Sequence, residues 1–508
     1  MKKLALFIFL TTTALSLISC GGNSTYTSGG GLTAAAVPVT VSVQDAAPTG
    51  VAITSFEVQI MNASIHNSAT NADVALLARP TEVELEHLQS EPALLGALNV
   101  SAGTYSSASA TFANPQMVIF NNTAAPITVG TTVCAIKASC KLTPTLNPAT
   151  TTISTAPFPI TLAANSPVGF LLHFDINSSI SSDLSAITPT IDLKQIAPSA
   201  TGVIHPEHLV GTITAISSPD FSLQPGLGEP MPVSAILPPV TNIVTNASTI
   251  YIFSDRLAAS PCANNNFSCL AVGQTVNVTV NVLSDGSLLA TAVTLFEQNS
   301  PALEGTVVSV TPAQNQFQIT MMGGQWMPGA GINASAIVGA AVTVNVNSST
   351  AYQIDADGIT LPSGLTFGGI NDVAIGQVVE VQPAVVVSPT ANALTLSTNR
   401  VRLEESQVTA TVSATSPSAA PPSFTLSSLP PIFPSGSTMN VLAVSTTKFS
   451  DNISGGVAGL AKGDTVSVGG LLFHTTGGPT MVAEKVLKRV QCAVTSGTGT
   501  TTTFTCIF

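Results

Sequence analysis

The sequence predicts an all-β chain: one β-sandwich followed by three small five-stranded β-barrels. Three observations carry that expectation. Short runs of alternating apolar and polar residues recur from residue 37 onward, separated by Gly, Pro and Asn turns. The apolar content is mostly Val, Ile, Leu and Ala interleaved with Thr, Ser and Asn, which suits half-buried pleated strands. From residue 207 onward, five sequence landmarks recur three times in one order.

The first residues read as an export address. Met1-Lys2-Lys3 is a short positive region, and Leu4 to Leu15 is an apolar stretch too short to span a bilayer, which takes roughly 20 residues. Leu17-Ile18-Ser19-Cys20 resembles a lipobox, so residues 1–19 are expected to be a lipoprotein signal peptide and Cys20 the lipidated N-terminus. Gly21-Gly22-Asn23-Ser24 begins a Gly/Ser tether over 20–33. An acylated Cys20 would hold the chain on a membrane, each buried CH₂ contributing roughly 0.8 kcal/mol. Gly at position 21, where an Asp would retain the protein, resembles outer-membrane lipoproteins and leads to an expected site at the cell envelope, on the periplasmic or surface face.

Composition narrows the partners. Only 8% of residues are charged, and removing Lys2 and Lys3 takes the 14 basic residues to 12 against 26 acidic, a net charge of −14. An acidic chain without basic clusters argues against nucleic acid and anionic lipid headgroups. The mean hydropathy of +0.45 comes from strands, since no apolar run after Leu17 approaches spanning length. Besides Cys20, six cysteines fall as close pairs, Cys134/Cys140, Cys262/Cys269 and Cys492/Cys506. Proximity predicts three local disulfides in an oxidising compartment, each closing a short loop worth at most about 3 kcal/mol. No finger-like set of His and Cys stands near them to favour zinc.

Residues 34–200 hold the predicted sandwich. Val37-Pro38-Val39-Thr40-Val41-Ser42-Val43 alternates cleanly before the turn Ala46-Ala47-Pro48-Thr49-Gly50. Phe56-Glu57-Val58-Gln59-Ile60, Val83-Glu84-Leu85, the run entered through Ala102-Gly103-Thr104-Tyr105, and Gly169 to Ile176 follow as strands, and Ile187 to Leu193 closes the region. Val43-Gln44-Asp45-Ala46-Ala47-Pro48, Ala102-Gly103-Thr104-Tyr105 and Phe174-Asp175-Ile176-Asn177-Ser178-Ser179-Ile180 before Thr188-Pro189-Thr190-Ile191 resemble DUF4382, a domain of unknown function recurrent in bacterial lipoproteins, over about residues 37–196. That resemblance implies no activity.

Three units follow, at 207–298, 301–404 and 406–508. Each opens on a strand (Leu209 to Ile213, Leu303 to Val307, Val408 to Val412) and continues through Phe221-Ser222-Leu223, Phe317-Gln318-Ile319 or Phe424-Thr425-Leu426. A threonine then precedes an aromatic by two: Thr249/Tyr251, Thr350/Tyr352 and Thr447/Phe449. A Gly turn at 273, 376 and 463 leads into the fourth strand, stepping by 103 and 87 residues, and a closing strand ends near Val293, Val401 and Val486. Five short strands per unit suit a small closed barrel, which removes exposed edges. Phe221, Phe317 and Phe424 are expected to be equivalent core positions, and units of this size are expected to fold as separate beads. The pattern resembles DUF5666, another lipoprotein-associated domain of unknown function, and that resemblance implies OB-like barrels.

No catalytic constellation emerges. HExxH, GxSxG and phosphate-cradling glycine loops are missing from the sequence, and no cofactor is expected. Glu82, Glu84 and Glu86 alternate along a predicted strand and are read as a solvated outer face, with a weak cation site as the sharper alternative. Asp355-Ala356-Asp357-Gly358 reads as a turn, because Gln353 and Gly364 stand where a calcium loop needs acids. His205-Pro206-Glu207-His208 reads as a linker between the sandwich and the repeats, with a two-histidine metal site lacking a third ligand as the alternative, and Asp175, Asn177 and Asp183 gather oxygens near one strand end as another weak cation alternative. Trp326, the only tryptophan, lies among glycines and is read either as part of a loop folded back over its own barrel or as a contact residue that stacks on a sugar or fills a partner's pocket. The expected function is therefore non-enzymatic: an envelope-anchored lipoprotein presenting β domains to an envelope protein or polysaccharide. A glycan-binding module and a hydrolase with an unfamiliar site are the alternatives.

Overall fold

A computed structural model describes residues 36–196, 207–295, 303–489, 491–495 and 503–507. Within these, 47–51, 78–79, 90–92, 156, 165, 167, 226–239, 253–264, 284–286, 324–340, 357–358, 383–384, 391–392 and 451 are not described. The described chain is almost entirely strand; its longest helical pieces are single turns.

The N-terminal domain is a two-sheet sandwich. One sheet runs Ile191–Ile196, Val168–Asp175, Ala36–Ala46, Ala93–Ser101, with Ala36–Ala46 parallel to Val168–Asp175. The other is built on the long antiparallel pair Ala52–Asn67 and Gly103–Phe120, flanked by Thr150–Ile153 and Ala72–Ala75. Alternation along these strands sends one face of each sheet inward. Phe174 sits there edge-on to Phe56 and Phe112, with ring centres 5.9 and 5.4 Å away. The short motifs acquire physical reasons. Tyr105 is buried and donates its hydroxyl to Ser101 O at 2.7 Å, anchoring the corner into the second sheet. Asp175 caps the one-turn helix Ile176–Ser179 by accepting from Ser178 N at 2.9 Å. Cys134 and Cys140 form a disulfide beside the edge strand Ser139–Leu142.

The three repeats share one barrel topology. In barrel 3 the strands Ser406–Ser416, Ser423–Ser427, Met439–Phe449, Thr465–Thr475 and Gly478–Lys488 close in the order 1-2-3-5-4. Strands 3 and 5 are parallel and every other pair antiparallel. Barrel 1 repeats this with Glu207–Ser217, Asp220–Pro225, Thr241–Val244 continued by Ile250–Ile252, Thr275–Val282 and Leu288–Leu295. In barrel 2, strands 3, 4 and 5 are each interrupted: Leu303–Thr311, Gln316–Gly323, then Ala341–Asn345 with Ala351–Ile354, Val378–Gln382 with Val385–Thr390, and Ala393–Ser397 with Arg400–Glu404. This is the connectivity of a five-stranded OB-type barrel.

The sequence landmarks are the fasteners of that barrel. Phe221, Phe317 and Phe424 are each 1% exposed and face Ile243, Val344 and Val441 on strand 3. Thr249, Thr350 and Thr447 each donate a hydroxyl to strand 5, at Ala290 O (2.7 Å), Thr398 O (3.2 Å) and Ala483 O (2.6 Å). Each also accepts the backbone N–H three residues earlier, from Asn246, Asn347 and Val444. Gly273, Gly376 and Gly463 hold φ of +89°, +89° and +98°, which a side chain resists, and their N–H groups reach back to Ile213, Val307 and Val412 on strand 1. The next side chain (Gln274, Gln377 or Asp464) accepts from the N–H of Ala271, Ala374 or Ala461, closing the turn.

The expectation of separate beads fails between barrels 2 and 3. Leu471, Phe473 and Val482 of barrel 3 belong to the core cluster of barrel 2, and Val308 of barrel 2 with Ala52 and Phe120 of the sandwich belong to that of barrel 3. A hairpin extension of strands 4 and 5 of barrel 3 reaches back onto barrel 2. Among the described residues, the core of barrel 1 draws only on those between Leu209 and Leu295.

Candidate functional site

A groove of about 600 Å³ lies on barrel 3, within the range of small-ligand pockets. Pro417, Pro421 and Pro422 from the strand 1–2 loop form one wall, and Gly455 to Ala458 form another. The edge of strand 3 at Ala443 to Ser445 makes the floor, and Thr360 to Pro362 of barrel 2 close the end. The two barrels are joined there by Thr360 N donating to Thr446 Oγ1 at 3.3 Å. Phe449, half-buried, packs over Gly456, whose φ of +63° and open α-carbon let the ring lie close. None of the described residues lining the groove has a titratable side chain. The arrangement can exclude water from an apolar face and offer the Thr360 and Ser445 hydroxyls at its rim.

A second polar assembly lies in the seam between the sandwich and barrel 3. Arg489, one residue past strand 5, donates from Nε to Ser467 Oγ at 2.6 Å, from one terminal nitrogen to Gln89 O, and from the other to His173 Nε2 at 3.4 Å. With Nε2 accepting, the His173 Nδ1–H is the one directed at Asp192 Oδ2, 3.3 Å away. Thr409 donates to Gln89 Oε1 at 2.7 Å, and Gln89 Nε2 donates to Glu86 Oε1 at 2.7 Å. Glu86 Oε2 is buried with no hydrogen-bond partner among the described residues, beside a cavity of about 60 Å³ where the sandwich, barrel 2 and barrel 3 meet. Burial first, and the Glu84 charge second, push the Glu86 carboxyl well above the usual carboxylate range, with the Gln89 bond pulling it back.

The structure sorts the candidates from sequence. The expected solvated face of Glu82, Glu84 and Glu86 is not there. The strand ends at Glu84, whose buried carboxylate accepts from Phe56 N, and Glu86 opens a 3₁₀ turn and points into the seam. Val83 and Leu85 are both core residues, but the strand stops between them, ahead of the 3₁₀ turn, so alternation no longer sets where Glu86 points. The side chain of Glu82 lies outside the described residues. Glu207 and His208 are not linker: strand 1 of barrel 1 begins at Glu207, with His208 opposite Thr279. His205 lies outside the described residues. Asp175 and Asp183 are spent locally, the first on its helix cap, the second on Ser181 Oγ (2.6 Å) and Ser185 Oγ (2.8 Å), which hold its carboxyl down at about 2. Asp355 lies 3.9 Å from the buried Arg402 guanidinium, which also pairs with Glu380 at 3.1 Å; Asp357 is not described. Among the described residues no group of three or more His, Cys, Asp and Glu side chains could hold a metal ion.

Cys20, Cys262 and Trp326 lie outside the described residues. Cys269 is disulfide-bonded, and paired strands Gln491–Thr495 and Thr503–Ile507 set Cys492 directly opposite Cys506. Sequence reasoning passed over both the groove and the seam. The prolines at 417, 421 and 422 were a signal for the groove; Arg489 and Gln89, far apart in the chain, gave none for the seam.

The architecture defines a chain of one sandwich domain with OB-type barrels in tandem. Residues 36–188 match the family model of a domain of unknown function, DUF4382, and residues 210–294 match that of another, DUF5666. The first coincides with the sandwich and the second with barrel 1. No curated protein matches the chain.

Proposed function

We propose that this chain is an exported lipoprotein, held at the cell envelope through Cys20, whose β domains bind a neutral partner without catalysis. The observation that carries the reading is the groove on barrel 3: ligand-sized, walled by prolines and glycines, and lined by no titratable side chain among the described residues. A charge-poor surface, with 8% charged residues, suits a partner recognised by shape and hydroxyl contacts more than by ion pairing. The envelope location is supported by Leu17-Ile18-Ser19-Cys20 and by the Cys134–Cys140 disulfide, which fits an oxidising compartment.

A polysaccharide partner is the second reading, favoured by Phe449 with Thr360 and Ser445 nearby, since an aromatic ring flanked by hydroxyls suits the face and edge of a sugar. The test is calorimetric titration of the full chain with uncharged oligosaccharides and with proline-rich peptides, repeated on Phe449→Ala. Binding to one class that falls by about tenfold or more in the variant, with an unchanged melt, supports the groove; equal binding by both proteins removes it. Cys20→Ala should abolish membrane partitioning, and unchanged partitioning would remove the anchor.

A further inference from the structure

The hairpin by which barrel 3 grips barrel 2 has a counterpart on barrel 2 that grips nothing described. In barrel 3, Leu471 and Phe473 on strand 4 are 0% and 1% exposed, packed on barrel 2, while Leu472 between them turns into its own barrel. Strand register identifies the equivalents. Phe424 faces Val441, Val441 faces Met481, and Met481 faces Leu472. In the same way Phe317 faces Val344, Val344 faces Leu396, and Leu396 faces Val386. Val386 therefore stands where Leu472 stands, Val385 stands for Leu471, and Val387, the extra residue at a bulge, lies level with Phe473. Yet Val385 and Val387 are 50% and 57% exposed.

The surface that receives the hairpin also recurs. On barrel 2 it is the Gly turn: Ile375 packs against the barrel 3 core, and the Phe433 ring lies where a β-carbon on Gly376 would be, 2.5 Å away. Gln377 Nε2 donates to Leu472 O at 2.8 Å. On barrel 1 the equivalents are Val272, Gly273 and Gln274. Gln274 makes the same local bonds, but Val272 is 62% exposed and no atom of a described residue lies within 4 Å of the β-carbon position on Gly273. On barrel 3 the position of Ile375 and Val272 is taken by exposed Lys462, a charge that ends the series.

We propose that barrel 1 receives the strand 4–5 hairpin of barrel 2 from a second copy of this chain, repeating between molecules the contact that barrel 3 makes on barrel 2 within one. Strand 1 of barrel 1 lies beside Ala93–Ser101 of the sandwich, and with barrel 1 seated there both apolar faces of one chain are open at once. Two different, mutually complementary faces on one molecule make a head-to-tail contact. The contact runs through the face of the hairpin and not through backbone pairing, because the bulge and Pro389 blunt that edge.

Sedimentation velocity of the full-length chain carrying Cys20→Ser, over a wide concentration range, tests this. The expected result is mass that rises with concentration. Val272→Asp alone, and Val385→Asp with Val387→Asp, should each weaken association by at least about tenfold, since a carboxylate would be desolvated at the contact. Both substitutions fall on exposed side chains, and unchanged melts would confirm that the fold is intact. An equimolar mixture of the two variants keeps one sound copy of each face, so it should form heterodimers that grow no further. A chain that stays monomeric throughout overturns the proposal. So does association indifferent to Val272→Asp, which would mean that the valines meet each other. A Val272→Cys, Val387→Cys disulfide formed within a monomer also overturns it, because barrel 1 would then be the partner inside its own chain.

Discussion

Phe473→Ala is the substitution that separates a chain of independent barrels from the interlocked pair described above. Phe473 belongs to strand 4 of barrel 3 by sequence and to the core of barrel 2 by packing, at 1% exposure. Truncating a ring so fully buried costs about 3–5 kcal/mol, transfer and cavity terms together. In a unit the size of two barrels, 1 kcal/mol moves the melting midpoint by roughly 2–4 °C, so a fall of about 6–20 °C is expected. Hydrogen exchange on the full-length chain, read by peptide, locates the loss. Exchange should quicken in Leu303–Thr311 and Val378–Gln382 of barrel 2 as well as in barrel 3. Phe221→Ala is the control: it should carry a similar cost confined to barrel 1, whose core cluster among the described residues lies between Leu209 and Leu295. If Phe473→Ala leaves barrel 2 exchanging at the wild-type rate, the shared core is wrong.

Three further outcomes are expected. Glu86 has its folded-state pKa raised, so its contribution favours the folded state below about 4.5, its ordinary value, and is lost as pH rises through the raised one. Glu86→Gln should therefore melt higher than the parent at neutral pH, with the difference closing on acidification; a constant difference would show that Glu86 does not titrate differently on folding. Thr350→Val keeps the shape but removes two strand-fastening hydrogen bonds, for a loss of about 1–3 kcal/mol in chemical denaturation, and Thr249→Val and Thr447→Val should match it in their own barrels. Non-reducing peptide mapping should recover Cys134–Cys140, Cys262–Cys269 and Cys492–Cys506, and any cross-pair bridge would displace the local scheme.

What was legible in the sequence was local or periodic. The Phe, Thr and Gly landmarks could be aligned because each fixes one backbone event that every barrel must repeat: a core-facing strand residue, a stitch to strand 5, a turn at positive φ. The acidic triplet misled because alternation describes a strand only while the strand continues. The strand stops at Glu84 and a 3₁₀ turn takes over at Glu86, so Glu86 lies in the seam and not on the outer face that alternation assigned it. The seam itself was hidden for a different reason. Arg489 meets Gln89 and His173 across roughly 400 and 316 residues of separation, and nothing in either neighbourhood marks the other.

The packing of one barrel on the next falls between these cases, because its determinant sits inside a landmark. The turn reads Ala271-Val272-Gly273-Gln274, Ala374-Ile375-Gly376-Gln377 and Ala461-Lys462-Gly463-Asp464. The flanking positions are held nearly constant by the turn's own hydrogen bonds, which leaves the second position free to vary without harming the fold. Where it is Ile375 it is covered by the next barrel; where it is Lys462 it is solvated, since burying an unpaired ammonium there would cost far more than an apolar contact returns. A position that is free within the unit and different in each repeat therefore records what the unit docks against. Read that way, Val272 belongs with Ile375 and not with Lys462, and its exposure in the single chain marks a contact still to be made.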